Sequence, residues 1–209
     1  MRESTKKDDL VIRPRGRPRA YEPDVALRQA TDAFWKAGYA GTSLDDISAA
    51  TGMNRPSLRA AFGDKHAIYV RTLVDYWDMK SSVMHDALKG DHSLKDALMR
   101  VYEAALAIYF SGEGNARGCF VLGTAITEAA DDGEIQGIVR NGLRKLDACF
   151  EGRLRMARDK GELAKDADVG ALALLASATM HTIAIRARAG TSKKDLRKLA
   201  QKAVTIITG

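Results

Sequence analysis

Residues 42–65 read TSLDDISAATGMNRPSLRAAFGDK, and this stretch decides how the rest of the chain is interpreted. Ser43 and Asp46 form an S-x-x-D capping box, which predicts that a helix begins here. Gly52 can adopt the left-handed backbone conformation that a tight turn requires. Asn54 is a favourable N-cap for a second helix immediately after that turn. The stretch therefore predicts two short helices joined by a tight turn, which is the helix-turn-helix pattern.

The second helix of this pattern has two different faces. Pro56 falls in its first turn, where the missing N–H has no helical partner to lose. Apolar residues recur at helical spacing and are expected to face inward: Leu58, Ala61 and Phe62. The outward positions include two arginines four residues apart, which share one side of the helix: Arg55, Ser57, Arg59 and Ala60. This arrangement suits entry into a groove of DNA, whereas an ordinary helix pair with a solvated charged face is the alternative.

A basic segment precedes the motif. Residues 1–20 carry seven Arg or Lys against three acidic residues, a net +4 of the chain's +6. Four arginines at positions 13, 15, 17 and 19 alternate with Pro and Gly, which block a helix and suit the narrow, negative minor groove. The R-G-R-P core at 15–18 resembles an AT-hook. A disordered solubilising tail is the alternative, but beside a helix-turn-helix we predict a flexible arm whose Arg15 and Arg17 contact DNA.

Composition limits the class of protein. The chain has 209 residues, of which 45% are hydrophobic and 29% charged, the balance of a soluble globular protein with one or two domains. The N-terminus is charged and carries no secretory signal. The longest uncharged run, residues 169–185, contains polar residues and is shorter than the roughly 20 apolar residues of a membrane span. We expect a cytoplasmic protein that does not cross a membrane.

The cysteines and histidines do not form a recognisable site. Cys119 and Cys149 are too few for a disulfide framework, and four scattered histidines lack the spacing of metal ligands. We therefore expect reduced thiols, no metal and no cofactor. Gly118 and the following helix start could lower the pKa of Cys119 and make it a sensor of oxidants or electrophiles. The apolar residues 120–122 favour the alternative, a buried and inert thiol.

Helical periodicity continues through the remainder of the chain. Apolar spacing, capping residues and glycine stops predict seven helices besides the two of the motif, at about 23–37, 64–88, 93–109, 119–130, 135–160, 169–189 and 192–208. On the first of these helices the inward positions are Ala26, Leu27, Ala30, Phe34 and Ala37. The helix at 169–189 is apolar almost all round and must be covered on most sides, partly by another chain. The prediction is an all-α protein with about nine helices.

These motifs in combination resemble a known family. A helix ending in GYAGTSLDDIS, then AATGMNRPSL, then AFGDK before a long helix, resembles the N-terminal domain of TetR-family transcriptional repressors over about residues 21–70. GCFVLGTAITEAADDGEI at 118–135 also looks like a stretch found in several members. The resemblance implies a DNA-binding domain at 21–66, followed by an effector-binding and dimerisation domain at 67–209. It also implies a homodimer, formed through about 168–189 and 192–208, that binds a palindromic operator until a small molecule lowers its DNA affinity.

The resemblance also assigns contacts within the motif. Thr42 and Lys65 stand at positions that contact phosphates in the family. The predicted DNA-contacting positions in and beside the second helix are Asn54, Arg55, Pro56, Ser57, Arg59 and Ala60. Arg59 stands where the family often has Tyr, and Ala60 where His is frequent. We expect Arg59 to contact guanine through two hydrogen bonds, which would change the operator sequence relative to other members.

The effector site is predicted from residue type alone. Aromatic bulk and a few polar groups on the C-terminal helices suit an apolar or aromatic ligand: Tyr102, Tyr109, Phe120, Thr124, Met156, Met180 and His181. Each of these residues has an ordinary alternative role in the core, and His181 has one as a hydrogen-bonded core histidine.

Three function classes compete at this point. A ligand-responsive repressor is favoured. An architectural DNA-binding protein would use the same arm and motif without an effector, and its C-terminal half would serve only for dimerisation. An all-α enzyme with a basic tail is disfavoured, because the sequence has no evident nucleophile–base pair, carboxylate dyad, phosphate loop or metal cluster.

Overall fold

The computed structural model describes residues 22–112 and 114–209, and over these residues all regular secondary structure is α-helix. Nine helices follow one another without an intervening strand in this part of the chain, which confirms the predicted fold class. They are α1 Pro23–Ala37, α2 Leu44–Thr51, α3 Arg55–Phe62, α4 Lys65–Leu88, α5 Leu94–Tyr109, α6 Phe120–Glu128, α7 Gly133–Asp159, α8 Val169–Arg188 and α9 Lys193–Thr208.

Side-chain caps fix where most of these helices begin. The Ser93 and Ser192 hydroxyls accept hydrogen bonds at 3.1 Å from the backbone N–H groups three residues on, at Asp96 and Asp195. Asp64 accepts from the Ala67 N–H at 2.8 Å and so caps the long α4. Each cap satisfies an N–H group that has no partner inside the helix. The predicted helix starts therefore depend on short-range contacts that the sequence displays directly.

The helices form two connected regions. α5, α7, α8 and α9 pack on one another in the C-terminal half, with the short α6 against α7, while α1, α2 and α3 form the N-terminal region. α4 contacts α1 at one end and α5 and α7 along its length, so it belongs to both regions. One continuous apolar core runs through them. A change in the C-terminal half can therefore reach the N-terminal region through α4 and its neighbours.

Burial on α1 differs from the prediction at two positions. Ala37 is exposed, whereas Trp35, which the periodicity did not place inside, is only 5% exposed. Its indole N–H donates to the Arg117 carbonyl at 3.2 Å. The reason is that α1 packs against α2 on one side and against α4 and α6 on another. The buried face of α1 is consequently wider than a single apolar stripe, and it includes residue 35.

The loop before α6 approaches α8 very closely. Gly118 has φ +67°, and a Cβ at this position would lie 2.6 Å from the Ala184 carbonyl oxygen. Both the backbone conformation and the lack of space therefore require glycine here. This loop brings Arg117 against α1, where its guanidinium lies 4.1 Å from the Trp35 ring centroid and bonds to Asp32. The loop thereby connects the two regions of the molecule.

α8 combines a core face with an exposed apolar face. Within the described residues it is the one helix long and apolar enough to cross a membrane by length and composition, and 44% of its most apolar window is buried in the protein. Its side toward α5, α7 and α9 holds Ala176, Met180 and Ile183, which are fully buried. On the opposite side Leu174 and Ile185 are 61% and 60% exposed. One face packs into the core, and the second face has no partner in the part of the chain that the structure describes.

Candidate DNA interface and effector site

The helix-turn-helix forms as the sequence predicts. The Ser43 hydroxyl accepts from the Asp46 N–H at 3.2 Å, and the Asp46 carboxylate accepts from the Ser43 N–H at 2.8 Å, which completes the capping box. Gly52 ends α2 with φ 66° and ψ 9°, the left-handed conformation. The Asn54 side chain then accepts from the Ser57 N–H at 2.9 Å and caps α3. Local hydrogen bonds thus fix both helices and the angle between them.

α3 presents the expected face to solvent. Leu58 and Phe62 are buried against the rest of the region. The exposed positions are Asn54, Arg55, Pro56, Arg59 and Ala60, with Ser57 partly buried beside them. Arg59 forms no ion pair with any described residue. Its guanidinium is therefore free to contact a ligand outside the chain.

Arg55 is held by a residue that the sequence reasoning missed. Its guanidinium forms an ion pair with Asp45 of α2, and both side chains remain largely exposed. The hydrogen bond from Arg55 lowers the pKa of the Asp45 carboxyl. This contact joins α2 to α3 and orients Arg55. A carboxylate at the start of α2 opposite a basic first turn of α3 was the available signal.

Lys65 and Thr42 lie where α1, α2 and α4 meet. The Lys65 ammonium donates to the Tyr39 carbonyl at 3.1 Å and lies 4.2 Å from the Tyr39 ring centroid. The Thr42 hydroxyl is buried and donates to the Gly38 carbonyl at 2.7 Å. Thr42 therefore contributes to the turn before α2, and a phosphate contact by its hydroxyl would require that hydrogen bond to break. Arg15 and Arg17 of the predicted arm lie outside the described residues.

The candidate effector residues are mostly buried in the C-terminal half. Tyr102, Tyr109, Phe120 and Met180 are completely buried, and Thr124 is nearly so. His181 is partly buried, and burial followed by the nearby Lys80 charge lowers its pKa. Met156 differs from the others, because its side chain is 52% exposed on α7. The structure thus gives six of the seven residues an interior environment and places the seventh at the surface.

An aromatic cluster connects the two regions. Trp35 of α1 lies 5.4 Å from both Tyr76 of α4 and Phe120 of α6, measured between ring centroids. Phe120 lies 5.5 Å from Tyr76, and Tyr69 lies 4.9 Å from Phe34. Edge-to-face contacts of this kind stabilise a packed arrangement beyond the burial of apolar area. Five rings from α1, α4 and α6 therefore form one rigid contact between the helix-turn-helix and the C-terminal half.

Cys119 and Lys80 share a buried polar site next to this cluster. Cys119 is 3% exposed and Lys80 is 2% exposed. The Tyr76 hydroxyl donates to the Cys119 sulfur at 3.3 Å, and the Lys80 ammonium lies 3.9 Å from it. The environment of Cys119 is thus buried, as the apolar residues after it predict, but it also contains a positive charge that the sequence did not reveal. Both cysteines are free thiols.

A hydrogen bond between a histidine and a carboxylate joins α4 to the start of α7. The His66 ring contacts the Asp132 carboxylate at 2.7 Å, and Asp132 also caps α7 by accepting from the Ile135 N–H at 3.0 Å. The backbone hydrogen bond from Ile135 and the contact with His66 lower the pKa of Asp132. His66 is the second residue of α4, so this contact also lies close to the DNA-binding region. No group of His, Cys, Asp or Glu in the described ranges could hold a metal ion.

Comparison with known proteins places this arrangement in a family. Residues 26–72 match the model described as bacterial regulatory proteins, tetR family, and residues 95–203 match that of a tetracyclin repressor-like C-terminal domain. The chain is 29% identical over 198 residues to the HTH-type transcriptional repressor ComR of Escherichia coli, covering 94% of each protein. It is 34% identical over 118 residues to the repressor BdcR of the same organism, covering 56% of this chain and 58% of BdcR.

A solved structure shows the same fold on DNA. The TetR-family regulator CifR, as a cysteine mutant bound to a 26-base-pair operator duplex, superposes with a TM-score of 0.82 at 28% identity. The superposition covers 90% of this chain and 98% of CifR. The C-terminal family model alone matches more than half of the chain, and the helix-turn-helix geometry agrees with the N-terminal match. The chain belongs to the TetR family of DNA-binding transcriptional regulators.

Proposed function

We propose that the chain is a homodimeric repressor that binds a palindromic operator through α3 and releases it when a small molecule binds the C-terminal half. The observation that carries the proposal is the exposed face of α3, where Arg59, which has no ion pair among the described residues, stands on a doubly capped motif. Repressors among the relatives, and an operator complex of CifR, support the same function. A regulator of this kind acts in the cytoplasm, where it meets its operator.

Base contacts and phosphate contacts are divided between different residues. Arg59 and Arg55 project from the first two turns of α3, which suits hydrogen bonds to base edges in the major groove. Asp45 restricts Arg55, so Arg59 has the greater freedom to reach a base. Lys65, held beside Tyr39 at the start of α4, suits a phosphate contact that positions the motif. Arg15 and Arg17 would extend the contact into the adjacent minor groove.

The exposed apolar surface supports dimerisation through α8 and α9. On α8 the residues Leu174, Leu175 and Ile185 are 61%, 39% and 60% exposed, and on α9 Ile206 is 70% exposed. Residues 174, 178, 182 and 185 recur at helical spacing on one face. A second copy of the same surface would cover this stripe in a two-fold arrangement. Two helix-turn-helices related by that axis would then contact two halves of a palindrome.

Competition binding with Arg59→Ala tests the DNA-contact assignment. The operator is first selected from random duplexes, and the affinity for operator and for random DNA is then measured at several salt concentrations. Arg59→Ala is expected to lose about 1–3 kcal/mol of operator binding with little effect on random DNA, as for a bidentate base contact. Arg140→Ala, an exposed change on α7, is the control and should bind like the wild type.

Lys65→Ala should weaken both DNAs alike and reduce the dependence of affinity on salt, because a phosphate contact carries no sequence information. The melting temperature of the Lys65→Ala variant must be compared with that of the wild type, because Lys65 also bonds to Tyr39.

If Arg59→Ala weakens operator and random DNA equally, Arg59 contacts phosphate and the base-contact assignment is wrong.

A further inference from the structure

A cleft between α4 and α7 combines a buried lysine with apolar side chains. Its volume is about 410 Å³, and it is lined by Trp77, Lys80, Ser81, Ser82, Met84, His85, Lys145, Leu146 and Cys149. Trp77, Lys80 and Leu146 are buried at its floor, whereas Ser82, His85 and Lys145 are exposed at its rim. The volume falls within the range of about 300–1,000 Å³ that is typical of small-molecule sites.

The charged residues that line this cleft all have one sign. Lys80 and Lys145 line it, and none of the lining residues is an Asp or Glu. Burial raises the pKa of the Cys149 thiol, so Cys149 contributes no negative charge at neutral pH. The cleft is therefore a positive environment that favours an anion over a neutral or cationic molecule of the same shape.

Lys80 has no anionic partner within the described part of the chain. Its ammonium contacts the Cys119 sulfur at 3.9 Å and lies 5.2 Å from the Trp77 ring centroid, and it has no ion pair with a carboxylate. A thiol is a weak hydrogen-bond acceptor, and an aromatic face only partly replaces water around a cation. A buried ammonium without a counter-ion is costly to the folded state. The protein tolerates this cost at a site that opens to solvent through the cleft.

A donor that lacks a hydrogen-bond partner among the described residues lies at the same site. The Trp77 indole N–H is buried and forms no hydrogen bond with any of them. Because an indole nitrogen can only donate, it requires an acceptor, as the Lys80 ammonium does. A buried ammonium without a counter-ion and an indole N–H without an acceptor, beside apolar Met84 and Leu146, match a molecule that has an anionic acceptor group at one end and an apolar body.

We propose that this cleft binds a small organic carboxylate, whose oxygens accept hydrogen bonds from Lys80 and the Trp77 N–H and whose apolar body lies against Met84 and Leu146. The inference rests on the proposed function, because such a ligand would be the effector that releases DNA. Lys80 lies one helical turn after Tyr76, which contacts Trp35 of α1 in the aromatic cluster. A ligand that draws Lys80 into the cleft would thus act on the helix that continues from the DNA-binding region.

Matched acids and amides test the charge requirement on the full-length wild-type protein. Benzoate, phenylacetate and hexanoate are compared with benzamide, phenylacetamide and hexanamide by thermal shift and calorimetry. The acids are expected to raise the melting temperature, since a ligand that binds only the folded state stabilises it. The amides have nearly the same shape but no charge, and are expected to bind about tenfold to a hundredfold more weakly.

Variants locate the binding site. Lys80→Met keeps the length of the side chain and should weaken acid binding by about tenfold to a hundredfold. Lys95→Met, an exposed change on α5, is the matched control and should leave binding unchanged. Cys119→Ser should retain the preference for acids, which shows that the thiol is not the essential partner of Lys80. If Lys80→Met does not fold, the comparison of acids with amides on the wild type still decides the charge requirement.

Three results would overturn the inference: equal binding of acids and amides, binding of no acid by the folded wild type, or undiminished acid binding by Lys80→Met. Operator binding by the same preparations separates this failure from failure of the proposed function. If the protein binds its operator selectively and a neutral compound releases it, the proposed function stands and the carboxylate site is wrong. If the protein binds no duplex selectively, the proposed function itself fails, whatever the acids do.

Discussion

The helix-turn-helix and the C-terminal helices satisfy their polar groups in different ways. In residues 22–63 the helix starts of α2 and α3 are closed by side chains three residues away, and no buried polar side-chain atom is left without a hydrogen bond. In the C-terminal half, by contrast, the Trp77 N–H, the Tyr109 hydroxyl and the His181 Nε2 atom are buried and have no hydrogen-bond partner within residues 22–112 and 114–209. The DNA-binding region is therefore locally complete, whereas the C-terminal half retains unsatisfied donors and acceptors in its interior.

This difference corresponds to two tasks. A base-contacting helix must hold its side chains in fixed positions, and short capping contacts provide that rigidity at little cost. A ligand-responsive region must be able to exchange one arrangement for another, and unsatisfied groups lower the stability of its unliganded form relative to its bound form. The predictions below test the comparison by changing one region at a time.

The largest effect is expected where α4 crosses α7. A Cβ on Gly142 would lie 2.0 Å from the Trp77 ring, so Gly142→Ala must displace that indole from the floor of the cleft. We expect a loss of about 1–3 kcal/mol in the free energy of unfolding, measured by urea denaturation. The loss should be accompanied by weaker ligand binding but unchanged affinity of the folded protein for random DNA.

Gly152→Ala on the same helix is the matched control. Gly152 is exposed, and a Cβ there would meet nothing within 4 Å. The change should therefore stabilise the protein by about 0.5–1 kcal/mol, because alanine favours a helix more than glycine does. A stability gain for both variants would show that the α4–α7 contact adapts freely, and the C-terminal half would then be less tightly packed than the structure indicates.

The same difference explains how much the sequence could predict. The capping box at Ser43, the αL turn at Gly52 and the cap at Asn54 involve residues within three positions of each other, so the motif and its exposed face follow from the chain alone. Lys80 and Cys119 are 39 positions apart, and their contact depends on how α4 meets the loop before α6. No local sequence pattern predicts that contact.

The candidate effector residues show the same limit. Residue type suited Tyr102 and Tyr109 both to the core and to a pocket, and it could not separate these two roles; both side chains are completely buried. Met156 is exposed although its residue type suits a pocket. Trp77 and Lys80, which line the cleft, were not among the candidates, because their role depends on the α7 residues across from them. Asp45 was missed for a similar reason, since its ion pair with Arg55 crosses the turn.

A smaller effect is expected from the cap of α3. Asn54→Ala removes the acceptor of the Ser57 N–H and should lower the free energy of unfolding by about 1 kcal/mol, whereas Asn54→Ser keeps a capping oxygen and should lose less. Chemical denaturation followed by circular dichroism measures the difference. Equal losses in the two variants would mean that α3 is held by its buried Leu58 and Phe62 rather than by its cap, and the local completeness of this region would be overstated.

The smallest effect concerns pH and belongs to the C-terminal half. Burial and the positive charge of Lys80 lower the pKa of His181 from its ordinary value of 6.5, although Asp147 acts in the opposite direction. As pH falls below about 6.5, the unfolded chain binds a proton at this histidine before the folded chain does, so the folded state loses stability. The loss ends once pH is below the lowered pKa of the folded state, and above about 7.5 the histidine contributes no pH dependence.

His181→Gln should therefore show a smaller fall in melting temperature between pH 7.5 and 5.5 than the wild type, while His85→Gln, an exposed change on α4, should behave like the wild type. An identical fall for His181→Gln and the wild type would show that the ring is solvated or finds a partner in solution, and His181 would then no longer count among the unsatisfied groups that distinguish the C-terminal half from the helix-turn-helix.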